Sequence, residues 1–318
     1  MYWIYAIVVV RYTTLKSTSH HRRGKPLRAY DAEIIYGNVA KDLSQQRIGI
    51  IEVLTASTSP DLYVTALSSV ACYARIQNYD FHIINDAEYL RLCPQRDKFF
   101  RRHCIVEIVL RDYDYVLFLD SDIGVVNPGR RIEEFFDSQA DIIFYDRIYN
   151  SEVMAGSYLV KNSYWARRFL QGFASYESRL PTSAHGSDNG ALHAYLAEVL
   201  LPRNDVDVFV CKWIYENSRG YGDLYLFEVC IRELLGAGPH FGKIKILHKG
   251  TGWARDPRMT NSKWSIEGDF MIHNWKTTNQ KIYKAVPVPL QAVTKGHSWY
   301  DWYNPFPGEF DLDLCSPG

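Results

Sequence analysis

The sequence predicts an α/β fold in which a mostly parallel, Rossmann-like sheet is flanked by helices in a single domain. Between residues 47 and 119, strand-like and helix-like segments alternate, a pattern typical of βαβ units whose sheet is covered on both faces. The chain has 318 residues, of which 47% are hydrophobic and 23% charged, so it can bury a full-sized core. These observations exclude a disordered chain or a repeat array for most of the sequence.

The predicted strands are short, continuous apolar runs, and two segments with helical periodicity separate them. The strands are 47–55 (RIGIIEVLT), 80–85 (DFHIIN) and 115–119 (YVLFL), and the helices are 61–79 and 97–110. Parallel sheets bind ligands beyond the carboxyl ends of their strands. The residues after Leu119 are therefore the first place to look for a functional site.

The net charge and the aromatic content of the chain indicate which kinds of molecule it could bind. The 36 Lys and Arg residues balance 36 Asp and Glu residues, so nothing in the net charge predicts a nucleic-acid partner. Aromatic residues make up 14% of the chain and include 23 tyrosines. Such side chains suit stacking on bases and sugar rings, and equally suit a tyrosine-rich core.

The six cysteines are far apart and form no C-x-x-C pair, which argues against a zinc ribbon or a thioredoxin-type site. We interpret most of them as buried thiols. An even number of cysteines in an oxidising compartment also allows a disulfide or two, and the spacing does not separate these cases.

The N-terminal residues resemble a membrane-targeting segment. Residues 1–10 (MYWIYAIVVV) are apolar, and 11–30 contain six Lys or Arg residues and no acid. We predict a truncated signal-anchor at 1–10 and a basic stem at 11–46, which would make the chain a single-pass type II protein of the Golgi or secretory pathway. Ten residues are half of the roughly 20 that a membrane span needs, so a buried strand or a misplaced gene start is the alternative.

Several common catalytic motifs are absent. The sequence contains no G-x-x-x-x-G-K-[ST], no H-E-x-x-H and no G-x-S-x-G. Their absence argues against P-loop NTPases, the common zinc proteases and the nucleophile-elbow hydrolases.

The segment Asp120-Ser121-Asp122 directly follows the apolar strand 115–119. Two carboxylates one residue apart, where a buried strand opens into a loop, can both face a divalent cation, and their oxygens suit Mg²⁺ or Mn²⁺. A turn capped by aspartate is the alternative. The rigid strand end favours the metal site.

A haloacid-dehalogenase-type phosphatase is a minor alternative, in which the first aspartate is the nucleophile and the second a general acid. That family carries its D-x-D on the first strand, whereas at least two strands precede it here. Gly124 also stands where that family has Thr or Val, and no convincing G-D-x-x-x-D follows.

Four segments in order carry a family resemblance: 119–128 (LDSDIGVVNP), 154–162 (MAGSYLVKN), 185–196 (HGSDNGALHAYL) and 270–276 (FMIHNWK). Together they resemble the metal-dependent nucleotide-sugar glycosyltransferases of GT-A fold. Their order and spacing are most similar to the galactosyl-, mannosyl- and xylosyltransferase family of fungal mannan and plant xyloglucan synthesis, and closer still to its uncharacterised nematode relatives. The resemblance implies a GT-A catalytic domain over 47–285.

The resemblance implies that Asp120 and Asp122 hold Mn²⁺, or Mg²⁺, against the diphosphate of a UDP- or GDP-sugar. Ser121 belongs to the same donor-binding segment. His273 matches the family's third metal ligand, at the end of the predicted apolar strand 269–272, and a neutral imidazole is a normal ligand for such a cation.

Two lysines are implied as donor contacts. Lys276 follows the histidine by three residues and would reach the diphosphate. Relatives usually have a glycine and then a lysine there, whereas this chain has Asn274-Trp275-Lys276, so the loop differs. Lys98 aligns with a basic residue that contacts the donor in relatives, and a solvated helix face is its alternative.

The resemblance also implies contacts to the sugar. Ala155 and Gly156 match the segment whose backbone approaches the donor sugar, with Met154 in place of the usual asparagine. Asp188 and Asn189 match the acid and amide beneath the anomeric carbon, where they would stabilise an oxocarbenium-like centre or position the acceptor.

Asp188 also has a purely structural interpretation. An amphipathic helix follows it, so Ser187 or Asp188 is the predicted N-cap, and capping alone would explain the aspartate. Past the predicted domain, 286–318 is rich in proline and aromatic residues and is interpreted as an irregular strap over the domain or a partner-binding segment.

The sequence therefore predicts a metal-dependent hexosyl- or pentosyltransferase. It would transfer a sugar from a nucleotide-diphosphate sugar to a glycan or glycoprotein acceptor, with retention of anomeric configuration implied by the resemblance. A catalytically silent, carbohydrate-binding relative is the alternative from another functional class.

Overall fold

The computed structural model describes residues 46–202, 205–256 and 268–276 in full, and the backbone of two short strands at 263–264 and 297–298. Its contacts divide the chain into the units 1–45 and 46–318, and every described residue belongs to the second. The predicted signal-anchor at 1–10, the stem at 11–46 apart from Gln46, and the strap at 286–318 apart from one strand lie outside the described residues.

The described elements comprise six α-helices and twelve strands. The helices are α1 (Val64–Gln77), α2 (Lys98–Val109), α3 (Tyr164–Ala174), α4 (Ser187–Leu200), α5 (Val206–Glu216) and α6 (Tyr221–Leu235). The strands are β1 (Ile48–Leu54), β2 (Asp80–Asn85), β3 (Tyr115–Phe118), β4 (Gly124–Val125), β5 (Ile142–Tyr145), β6 (Tyr158–Lys161), β7 (His240–Phe241), β8 (Ile244–Leu247), β9 (Ala254–Arg255), β10 (Lys263–Trp264), β11 (Met271–Ile272) and β12 (His297–Ser298).

The predicted α/β fold, a large sheet flanked by helices, is confirmed. Seven strands form the sheet in the order β2-β1-β3-β6-β5-β8-β7. β1 pairs in parallel with β2 and β3, and β5 pairs in parallel with β8, whereas the β3–β6, β5–β6 and β7–β8 pairs are antiparallel. The sheet is therefore mixed where the sequence predicted it mostly parallel. The connection from β5 to β6 contains no helix, and a parallel pair needs a longer crossover.

The two faces of the sheet are covered differently. Alternate residues of the central strands divide between two apolar clusters: Ile51 and Phe118 face the helices α2 to α6, while Ile50 and Leu117 face α1 and a small second sheet. All four side chains are at most 1% exposed. Burying a side chain of this size stabilises the fold by roughly 1.5–3 kcal/mol. The continuous apolar run at 115–119 is explained by this burial on both faces.

The small sheet, in the order β4-β11-β9, connects the segment 268–276 to the loop after β3. β11 pairs with β4 on one side and β9 on the other. The Trp275 backbone N–H donates to the Asp122 carbonyl at 2.9 Å, and a Cβ on Gly124 would overlap the Trp275 ring. A glycine is therefore required for this close packing, which brings His273 beside the D-x-D segment.

Two disulfides correct the prediction of buried thiols. Cys93 bonds Cys104 of α2, and Cys211 of α5 bonds Cys230 of α6. No cysteine in the described part of the chain is free. Tertiary packing brings these side chains together, which spacing along the chain does not reveal. Within the same residues, no helix combines the length and apolarity needed to cross a membrane.

Candidate metal and ligand site

Asp120 and Asp122 lie at the carboxyl end of β3, and His273 lies just past the end of β11. The His273 Nε2 is 3.1 Å from Asp122 Oδ1 and 3.9 Å from Asp120 Oδ2. One potential ligand atom from each residue lies within 4.8 Å of the other two. Two carboxylates and one imidazole at this spacing form a donor set that fits a divalent cation such as Mn²⁺. The structure thus brings together the three residues predicted as metal ligands.

His273 lies between two carboxylates. Its Nδ1 is 3.1 Å from Asp256 Oδ1, opposite the contact of its Nε2 with Asp122. Burial disfavours the charged imidazole, but Asp122 and Asp256 outweigh it and raise the pKa of His273 to about 10. Burial likewise favours a neutral Asp122, yet the charges of His273 and Lys276 hold the pKa of Asp122 well below its usual range. The protonated His273 therefore places a positive charge beside the Asp122 carboxylate, where a bound metal cation would also place one.

Asp256 was not selected from the sequence, although it orients His273. Arg147 holds the Asp256 carboxylate through two hydrogen bonds of 2.9 and 2.5 Å, and Arg147 also contacts Glu152 at 2.8 Å. Asp256 lies 17 residues before His273 and 109 after Arg147. A carboxylate on the second imidazole nitrogen is a common partner of metal-binding histidines.

Arg102 of α2 contacts both Asp120, a predicted metal ligand, and Asp188, a predicted catalytic residue. Its guanidinium donates to Asp188 at 2.6 Å and also forms a short hydrogen bond with Asp120. His103 Nε2 lies 3.1 Å from the same Asp188 oxygen. Burial favours a neutral Asp188, but Arg102 and His103 together lower its pKa. Arg102 was not selected from the sequence, where its one signal is that Lys98, Arg101 and Arg102 are spaced to lie on one side of a helix.

The predicted N-cap of α4 is wrong. The helix begins at Ser187, and Gly186 is its N-cap in the left-handed backbone region, with φ of 66°. The Ser187 hydroxyl donates to Asp97 at 2.6 Å, and the Asp188 side chain, 2% exposed, faces α2 instead of capping its own helix. Because Gly186 adopts the capping position, both side chains are available for contacts outside the helix.

A cavity of about 250 Å³ opens beside the three metal-ligand candidates. Lys276 Nζ lies 3.2 Å from Asp122 Oδ2, and Lys98, in the first turn of α2, lines the cavity on another side. Ser121 and Arg102 also line it, as does Tyr63, which the sequence did not single out. The predicted donor residues Lys98, Ser121 and Lys276 therefore share one cavity with Asp120 and Asp122.

Ala155 and Gly156, whose backbone is predicted to approach the donor sugar, lie beside the core and the Asp120 carboxylate respectively. Ala155 is fully buried in the core cluster beneath the helices. A Cβ on Gly156 would lie 2.6 Å from the Asp120 Cγ, so this glycine makes room for the Asp120 carboxylate. The neighbouring side chain that faces a cavity is Met154.

Met154 and Asn189 line a second cavity of about 540 Å³, together with Asp188. This cavity shares the lining residues Phe99, Arg102, Asp120 and His273 with the first. The two cavities therefore meet at the predicted metal ligands, and Asp188 with Asn189 faces the second one.

Residues 70–289 match a sequence family described as "Protein of unknown function, DUF273". The chain belongs to this family. The matched range contains every predicted site residue together with Arg102, Arg147 and Asp256, and it includes all residues that line the second cavity; part of the first cavity is lined by residues 53–63, outside that range. No curated protein sequence matches the chain.

Several solved structures with some likeness to this DUF273 chain are glycosyltransferases. One is a glycosyltransferase involved in glycosylation of the major capsid of PBCV-1, at 15% identity over 71% of this chain and 92% of that chain, with a TM-score of 0.45. Mouse xyloside xylosyltransferase 1 has 11% identity over 66% and 87% of the two chains, with a TM-score of 0.34. A mutant of Drosophila β1,4-galactosyltransferase 7, solved with manganese, UDP-Gal and xylobiose, has 15% identity over 40% and 52%, with a TM-score of 0.26.

Proposed function

We propose that this chain is a metal-dependent glycosyltransferase that moves a hexose or pentose from a UDP- or GDP-sugar to an acceptor. The observation that carries the proposal is the Asp120, Asp122 and His273 cluster at the junction of two cavities. Lys98, Arg102 and Lys276 line the first cavity beside it. A nucleoside diphosphate needs both features, since its phosphate oxygens bind a cation and basic side chains.

The two cavities suggest how the substrates divide. The first would take the nucleotide, with Lys98 and Lys276 against the diphosphate. The second would take the sugar, with Asp188 and Asn189 beneath its anomeric carbon. The bond from that carbon to the diphosphate oxygen would then break at the junction, where Arg102 lies between Asp120 and Asp188.

Each component of the transfer has a place in this scheme. The diphosphate oxygen leaves with the electron pair of the broken bond, and the acceptor oxygen bonds to the anomeric carbon and gives its proton to the departing diphosphate oxygen. A bound Mn²⁺ would supply Lewis-acid stabilisation of the departing diphosphate. Asp188, whose pKa Arg102 and His103 lower, stays ionised and would stabilise positive charge on the sugar ring. Retention of configuration is part of the proposal through the family resemblance.

The alternatives fit the site less well. A phosphatase of haloacid-dehalogenase type needs the second aspartate as a general acid, whereas His273 and Lys276 hold the pKa of Asp122 far below the value such an acid requires. A silent carbohydrate-binding protein has no chemical need for the metal-ligand cluster or for the cations around the first cavity. Both arguments favour the transferase.

Nucleoside-diphosphate release tests the proposal. The full chain is incubated with Mn²⁺ and a panel of UDP- and GDP-sugars of glucose, galactose, mannose and xylose. We expect release from one donor, and expect Asp122→Asn or a chelator to abolish it. Asp207→Asn, an exposed aspartate of α5, is the matched control and should retain activity. If no nucleotide binds in the presence of Mn²⁺, the enzyme proposal fails.

We also propose that the chain works in the Golgi or elsewhere in the secretory pathway. The disulfides Cys93–Cys104 and Cys211–Cys230 support this, because such bonds persist in oxidising compartments. Non-reducing peptide mapping of protein from its native source, combined with cell fractionation, tests the location. Reduced cysteines in a cytosolic fraction would contradict it.

A further inference from the structure

Three tyrosines line the second cavity and have no part in the scheme above. Tyr149 follows β5, and Tyr221 and Tyr225 lie one turn apart at the start of α6. The ring centroids of Tyr221 and Tyr225 are 6.2 Å apart, with planes inclined at 35°. Tyr221 is 75% exposed although it lines a cavity. We call Tyr149, Tyr221 and Tyr225 the tyrosine wall.

The charged groups beside the tyrosine wall are paired. The Arg147 guanidinium lies 4.7 Å from the centre of the Tyr149 ring and contacts the carboxylates of Glu152 and Asp256. Arg102, which also lines the cavity, contacts Asp120 and Asp188. This environment differs from the first cavity, where two lysines stand beside the metal-ligand candidates. The tyrosine wall therefore offers aromatic faces and hydroxyls without excess charge.

The size of the second cavity leaves space for more than the donor sugar. Pockets of roughly 300–1,000 Å³ hold drug-sized ligands, and this one measures about 540 Å³. Its Asp188 and Asn189 are assigned above to the donor sugar. The tyrosine wall belongs to the same cavity, so a second ring could lie there with a hydroxyl near the anomeric carbon.

We propose that the tyrosine wall is the acceptor subsite and that the acceptor is an uncharged saccharide, held by stacking of a pyranose ring on Tyr221 and Tyr225. A pyranose presents an apolar C–H face and polar edges, which matches an aromatic face with a hydroxyl at its tip. The paired charges disfavour strongly anionic acceptors. This inference rests on the proposed function for the role of the bound saccharide, and saccharide binding itself can be measured separately.

The test measures saccharide binding by saturation-transfer NMR on the full chain with Mn²⁺ and UDP. The probes are the methyl glycosides of glucose, galactose, mannose and xylose, and the disaccharides lactose, cellobiose and xylobiose. We expect Tyr221→Ala and Tyr225→Ala each to weaken binding of the best probe about threefold to tenfold. Tyr225→Phe keeps the aromatic face and should stay within about twofold of the unmodified chain.

Tyr164→Ala is the matched control, because Tyr164 is also 75% exposed but lies at the start of α3. It should leave saccharide binding unchanged, and all the tyrosine variants should bind UDP with Mn²⁺ normally. The inference is overturned if the unmodified chain binds UDP but none of the saccharides, if it glycosylates serine- or threonine-containing peptides instead, or if the alanine variants bind saccharide normally. Saccharide binding that depends on the tyrosines, in a chain that binds no nucleotide, would overturn the proposed transferase and leave the saccharide site standing.

Discussion

At the scale of single residues, the orientation of His273 depends on Asp256. The carboxylate contacts Nδ1 and is itself fixed by Arg147, so Nε2 faces Asp122. Loss of such a partner typically weakens metal binding 10- to 100-fold. We expect Asp256→Asn to weaken Mn²⁺ binding by about that factor, as measured by calorimetry or by the electron paramagnetic resonance of free Mn²⁺. Asp207→Asn is the control, and unchanged affinity in Asp256→Asn would show that Asp256 does not position the histidine.

A second single residue, Gly156, provides the space that the Asp120 carboxylate occupies. An alanine Cβ there would overlap the Asp120 carboxylate, which would have to leave its present position beside His273 and Asp122. We expect Gly156→Ala to reduce Mn²⁺ binding at least tenfold while the chain stays folded by circular dichroism. Gly222→Ala is the matched control, because a Cβ on Gly222 meets nothing within 4 Å. Normal metal binding by Gly156→Ala would mean that the Asp120 position is not critical.

At the scale of elements, helix α6 contains a buried glutamate that lowers the stability of the fold when it is ionised. Glu228 is fully buried, and neither carboxyl oxygen has a hydrogen-bond partner among the described residues. Burial, together with the nearby Glu152, raises the pKa of Glu228 to about 9. Between the unfolded value near 4.5 and 9, the folded chain binds a proton that the unfolded chain releases, so stability falls as pH rises through this window.

The corresponding prediction uses Glu228→Gln, which removes the titration and keeps the shape. We expect its Tm to exceed that of the unmodified chain, with the difference growing from pH 5 to pH 9 and levelling off above. Each kcal/mol of difference in the free energy of unfolding should shift Tm by roughly 2–4 °C. Glu233→Gln, on the same helix, has no such burial and serves as the control in scanning calorimetry. A Tm difference that does not vary with pH would contradict the assigned protonation.

The helix pair α5 and α6 is also connected covalently, through Cys211–Cys230. A bond that closes a loop of this length is worth about 3 kcal/mol in the chain-entropy description. We expect Cys211→Ser combined with Cys230→Ser to lower Tm by several degrees, as measured by calorimetry. If reduction of the unmodified chain produces no comparable loss, the bond does not stabilise this pair. Since Tyr221 and Tyr225 lie on α6, saccharide binding should weaken as the helix loosens.

At the scale of the whole molecule, the sheet collects residues from distant parts of the chain. Asp120 and Asp122 come from the carboxyl end of β3, and Arg102 from the helix packed against it. His273 directly follows β11 of the small sheet β4-β11-β9, whose strands belong to three separate segments of the chain. The cation site therefore depends on both sheets forming, and substitutions in the small sheet should affect metal binding without touching a ligand.

Much of the fold follows from local patterns in the sequence. β2 spans the predicted residues, and β1, β3 and α2 end within one residue of the predictions. The predicted helix 61–79 is instead a 3₁₀ turn, Pro60–Leu62, followed by α1, because Tyr63 has φ of −126° and interrupts the helix. Apolar periodicity determines where an element lies, but it does not determine which strand pairs with which.

What the sequence alone determined is the alternation of strands and helices from 47 to 119 and the D-x-D segment at its end, since both depend on residues close together in the chain. The match of four ordered segments also selected His273, Asp188 and Lys276 before any geometry was available. Only the tertiary structure identified Arg102 and Asp256, joined the cysteines, and showed Asp188 facing α2 rather than capping its helix. The physical reason is that ion pairs and cavities depend on distances in space between residues up to 109 positions apart, and short-range patterns carry no information about such distances.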